Sequence, residues 1–200
     1  MTGIEDEEDE YVSQSFDDLN LSDKEISSKL FDDCTFTECD FSEAIFDGCK
    51  FTDCRFIKCN LSVVKIKNSS YFDVVFEDCK MIGIDWTKAN WSRLALSAPI
   101  KFYKCIINDS SFFRLNLKEI VIEECKAHDV DFREGNFSGA SFTYTDLLSS
   151  LFSQTNLTGA DFTESINYNI DVHINKIRKA KFSRYEAVRL LGSLGIELVD

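Results

Sequence analysis

The chain has 200 residues, 44% of them hydrophobic, and a formal net charge of −13. That length suits one domain with its own core, and the acidity argues against direct nucleic-acid binding while permitting a partner with a basic surface. The absence of a signal-peptide pattern and of any apolar run of about 18 residues predicts a cytoplasmic protein that does not enter a membrane, whose eight cysteines stay thiols.

The acidity is uneven: residues 1–30 hold ten acids against two lysines, residues 31–165 carry −7, and the last 35 residues carry +2. Residues 1–12 read as a disordered acidic tail. From Phe16 onward a period of five takes over, with large apolar residues at Leu21, Ile26, Phe31, Phe36 and every fifth position to Leu96. The register slips by one residue in Ser97–Lys101, resumes at Phe102 and runs to Phe162, so that fifteen of eighteen phenylalanines fall in it. Five is neither the helical nor the strand period. It predicts a backbone that turns a corner every five residues and sends the same slot, here slot i, inward each time.

All eight cysteines lie two places before that slot, alternating there with residues such as alanine, serine, threonine and valine. Interchange with alanine predicts buried thiols that fill volume. Zinc is the rival, because Cys49, Cys54 and Cys59 have a superficially ligand-like spacing. Successive slots fall on different faces, however, and no histidine is near, so no metal or cofactor is expected. In the first coil the same slot holds Gln14, Leu19, Lys24 and Lys29, which predicts an irregular N-terminal cap.

Segments such as Ala89-Asn90-Trp91-Ser92-Arg93, Ala140-Ser141-Phe142-Thr143-Tyr144 and Ala160-Asp161-Phe162-Thr163-Glu164 resemble the A(D/N)LXX unit of the pentapeptide-repeat family. The resemblance covers about residues 16–166. It implies an all-β solenoid, a right-handed quadrilateral β-helix with four repeats per coil, occupying residues 13–166 and roughly 36 Å long. Residues twenty apart would then stack, placing Cys39, Cys59 and Cys79 in one column. The slip at 97–101 falls where the quinolone-resistance (Qnr) members carry a projecting loop, and here it reads as a one-residue bulge.

Residues 167–200 read as a capping or dimerisation segment. Ser183 and Glu186 have capping-box spacing for a short C-terminal α-helix, and Gly192 marks its stop. Leu190, Leu191, Leu194, Ile196, Leu198 and Val199 form two apolar sets, more than one plug needs. The tail resembles the module through which Qnr and microcin-immunity proteins pair, which implies a homodimer.

No phosphate loop, nucleophile elbow or metal cluster is present, and the two histidines, His128 and His173, read as surface residues, His128 beside Asp129. The chain is therefore expected not to be an enzyme. On one face, slot i+2 reads Asp33, Asp53, Asp73 and Arg93, continued by Arg114 and Glu134 if the slip leaves the faces in order. The aspartates form either an acidic stripe for a basic groove or a preference of these turns for aspartate. The family resemblance implies a DNA mimic that binds a type II topoisomerase, chiefly DNA gyrase, and protects it from quinolones or toxins. The alternative is a cytosolic scaffold with an unrelated partner.

Overall fold

The computed structural model describes Ile4, residues 8–91 and residues 99–196. Its strands are short, and almost all are joined to partners one circuit away. On one side, Glu10–Val12 (β1) pairs in parallel with Leu30–Asp32 (β4), which pairs with Lys50–Thr52 (β7), which pairs with Ser70–Phe72 (β9). On the second side Ser15–Asp17 (β2), Thr35–Thr37 (β5), Arg55–Ile57 (β8), Val74–Glu77 (β10), Ile100–Tyr103 (β11) and Val121–Glu123 (β12) make a six-stranded parallel sheet. A third side is held by single bridges, such as Asn20–Asp40 and Asp40–Asn60. The fourth begins with Glu25–Ser27 (β3) beside Ile45–Asp47 (β6). One circuit therefore takes twenty residues on four sides, and the chain is a parallel β-helix of about eight turns.

Two features of each repeat produce this shape. Slot i and slot i−2 both point inward, so a three-residue side is anchored twice. The residue at i+2 turns the corner in the left-handed region, with φ of 54° at Asp18, 53° at Asp33 and 57° at Asp109. Aspartate and glycine tolerate that region, whereas most side chains are strained there.

The core is a set of aromatic columns. Phe16, Phe36, Phe56, Phe76 and Phe102 stack at centroid separations of 5.0, 4.6, 5.0 and 5.3 Å. Contacts between neighbouring columns are edge-on, as at Phe36 and Phe41, 5.7 Å apart and 78° between planes. Both geometries suit the quadrupole of the ring.

Four expectations are corrected. The tail is shorter than residues 1–12: β1 starts at Glu10, and Tyr11 is only 1% exposed because it occupies slot i one step before Phe16. The coil also outlasts Ile166, since Asp161–Phe162 (β13) pairs with Lys181–Phe182 (β14) even though the sequence period has faded. The interruption is larger than one residue: Val74 pairs with Ile100, an offset of twenty-six where earlier coils have twenty, so this circuit is six residues longer than those before it. Leu96, counted as a core slot in the sequence register, lies outside the described residues. Finally, the C-terminal helix is a 3-10 helix over Glu186–Leu194 that passes through Gly192 and stops at Gly195, φ 66°. Ser183 does not cap it. Its hydroxyl donates to Glu164 Oε1 at 2.9 Å, while Glu186 Oε2 accepts from Asn167 N at 3.3 Å, so both side chains are spent on the last coil.

Candidate functional site

The three aspartates of the proposed stripe sit where the corner chemistry puts them. Asp33, Asp53 and Asp73 have φ of 53°, 51° and 50° and occupy successive corners of the first side, one coil apart. Neighbouring rungs of a parallel ladder lie about 4.8 Å apart, close enough for the charges to repel. Two members find local relief. Ser13 Oγ, one coil earlier, donates to Asp33 Oδ2 at 2.8 Å, and Lys101 Nζ lies 2.6 Å from Asp73 Oδ1.

Beyond Asp73 the stripe does not run as expected. Arg93 lies outside the described residues. The next corners of that side are Glu119, Gly139 and Gly159, whose amides donate to Ser138, Thr158 and Arg178 carbonyls in the pattern set by Asp33 to Thr52. Arg114 and Glu134 belong to the fourth side, where Arg114 Nε donates to Glu134 Oε2 at 2.7 Å. The six extra residues cause the difference, because they shift the later repeats onto other sides than a one-residue slip would.

The cysteines are buried free thiols, and the column Cys39, Cys59, Cys79 extends through Cys105 and Cys125. They do more than fill space. Each thiol of that column donates to the carbonyl of the slot-i residue twenty-three or twenty-nine places earlier, for example Cys59 Sγ to Phe36 O at 3.4 Å and Cys105 Sγ to Phe76 O at 3.5 Å. Thr145, Ser150 and Asn175 make the same bond from the same slot. Burial pushes the Cys49 thiol up to about 11, which keeps it protonated and a poor nucleophile or ligand. Among the described residues no three metal-ligating side chains converge.

His128 is held by Asp146, not Asp129: Nε2 and Oδ2 are 2.8 Å apart, and Asp146 Oδ1 accepts from Asn167 Nδ2 at 2.8 Å. Asn167 Oδ1 accepts in turn from Arg189 Nη2 at 3.2 Å. This polar chain ties the C-terminal helix to the last coils. Its members are eighteen to twenty-two residues apart, a spacing without a sequence signature. Of the candidate interface residues, Leu190 packs on the core and Leu191 is half-buried, whereas Leu194 and Ile196 are 47% and 51% exposed. Leu198 and Val199 lie outside the described residues.

The profile of the pentapeptide repeat region matches residues 29–99 and 95–162, more than half of the chain. The chain belongs to the pentapeptide-repeat family. Among solved structures it is similar to trypsin-treated QnrB1, a plasmid-mediated fluoroquinolone resistance protein, at 22% identity over 92% of this chain and all of that one, with a TM-score of 0.65. It is also similar to HetL, a pentapeptide repeat protein involved in heterocyst differentiation regulation from the cyanobacterium Nostoc, at 11% identity over 86% of this chain and 73% of that one, TM-score 0.68. At these identities the likeness is one of fold. No curated protein sequence matches the chain. No helix among the described residues is long and apolar enough to cross a membrane.

Proposed function

We propose that this pentapeptide-repeat protein is a non-enzymatic binding protein that presents its acidic rod to the basic DNA-binding groove of a type II topoisomerase, DNA gyrase. In this reading it shields the enzyme from quinolones or toxins. The observation that carries the proposal is the rigid column of Asp33, Asp53 and Asp73 on successive corners. Two findings support it: the fold shared with QnrB1 and a circuit six residues longer than those before it, shown by the pairing of Val74 with Ile100. A second copy pairs through the C-terminal end, where Leu194 and Ile196 are exposed.

The test is gyrase supercoiling with and without a quinolone, for the parent and for the Asp33→Asn/Asp53→Asn/Asp73→Asn variant. Asparagine keeps the corner conformation and removes three charges. The variant should keep its fold, lose affinity and show a shallower salt dependence, because exposed charges are screened beyond about 8 Å at physiological ionic strength. Should the parent neither bind gyrase nor change its drug response at low salt, the topoisomerase reading fails. The scaffold reading then stands, and one observation already favours it: left-handed corners select aspartate whether or not a partner exists.

A further inference from the structure

A cavity of about 590 Å³ opens at the N-terminal end of the β-helix. Leu21 and Ile26 from the first coil line it, together with Lys24, Lys29 and the acids Asp9 and Glu25. Among the described residues no coil lies beyond this end, so its apolar side chains and strand edges would invite association with another chain. Ile4 lies against it: this isoleucine lines the cavity and packs on the core.

Lysines and acids both line the cavity. Lys29 is buried, its side chain 8% exposed; Nζ donates to Glu8 O at 2.5 Å and lies 3.6 Å from Asp9 Oδ1. In the sequence, Ile4 is the one large aliphatic residue before Tyr11 other than Met1, and it is followed by six consecutive acids, Glu5 to Glu10. An aliphatic anchor followed by acids complements a first coil that lines the cavity with Leu21, Ile26, Lys24 and Lys29 against the single acid Glu25.

We propose that the N-terminal end of the rod is a docking surface for the chain's own acidic segment, with Ile4 as its anchor, and that this seating keeps the end from associating with a second copy. Asp9 is then spent on Lys29 and is not a free lure for a basic partner. The sequence alone reads the same segment as a free tail, since a single isoleucine among acids gives no periodic signal.

The test uses the full chain with Ile4→Asp, and Ile4→Leu as the conservative control. Hydrogen exchange is followed at the amides of Leu21–Ser27, and mass is measured by light scattering over rising concentration. Loss of one half-buried isoleucine should speed exchange in the first coil roughly tenfold. It should also raise the mass above that of the parent at high concentration. Ile4→Leu should behave as the parent, and Lys24→Glu at low salt should reproduce part of the acceleration. If Ile4→Asp matches the parent in both exchange and mass, or if Ile4→Leu is as disruptive as Ile4→Asp, the proposal is overturned.

Discussion

Trp86 and Phe112 stack with ring centroids 5.9 Å apart and planes 14° from parallel, although twenty-six residues separate them. In the coils before them, Phe31 and Phe51, or Phe36 and Phe56, stack across twenty. The column therefore continues through the six extra residues as though they were absent. Deleting residues 94–99 restores the twenty-residue spacing and would place Arg93 at the corner. The shortened chain should fold, keep its circular dichroism and melt cooperatively within about 1–2 kcal/mol of the parent, since loop length alone costs little.

Val63 holds a corner at φ 59° and is half-exposed. A β-branched residue is a poor occupant of the left-handed region, at a cost on the order of 1–2 kcal/mol. Its amide still donates to Ile82 O at 2.7 Å, so the conformation is imposed by the coil. Val63→Asn should raise stability by about 1 kcal/mol in chemical denaturation. A loss of stability would show that the valine contributes more through contact than it costs in strain.

Phe51 stacks between Phe31 and Tyr71 at 5.0 and 5.3 Å and is 1% exposed. Phe51→Asp removes both stacks and buries an unpaired carboxylate, at a cost above about 4 kcal/mol. Cys54→Ala removes a thiol bonded to Phe31 O at 3.4 Å and should cost roughly 1 kcal/mol. A thermal melt ranking the two the other way would mean that slots i and i−2 have been exchanged.

Acid should weaken the rod through two carboxylates in particular. The side chain of Ser42, with its amide, holds Asp40 below the ordinary value of 3.8, and the Arg133 guanidinium does the same for Asp131. A carboxylate lowered in the folded state adds stability that is complete above its unfolded value and is lost as pH falls through its folded value. The stability gap between the parent and Asp131→Asn should therefore be constant at neutral pH and shrink below about pH 4. A gap that widens in acid would contradict the Arg133 pairing.

Leu194→Asp combined with Ile196→Asp should convert the proposed dimer to monomer without lowering the melting temperature. Both residues are exposed, while Leu190, which packs on the core, is left in place. Light scattering at micromolar protein reads the result. A parent already monomeric there would reduce the C-terminal segment to a cap.

The inward slots were legible because the five-residue period is nearly unbroken: Phe36, Cys39 and Phe41 are buried as that period requires. The coil boundaries were less so. Leu96 is apolar and continues the count, and a slip of six residues leaves the same five-residue register as a slip of one, so only the pairing of Val74 with Ile100 shows six. The hydrogen-bonding role of slot i−2 was half-visible in the interchange of cysteine with serine and threonine. Alanine in the same slot pointed to volume alone. The Ser183–Glu186 spacing suggested a cap, but both side chains reach the preceding coil, a contact that local spacing does not encode.

The registry of twenty has a consequence for how such a chain can change. Each coil asks of its neighbours only a ring, a small donor and a corner, so a whole circuit can be duplicated or lost without redesigning the rest. Each such event would alter the rod by about 4.8 Å and carry its surface charges along in fixed spacing. Length here is a copy number, and the molecule is a ruler whose graduations can be recut one at a time.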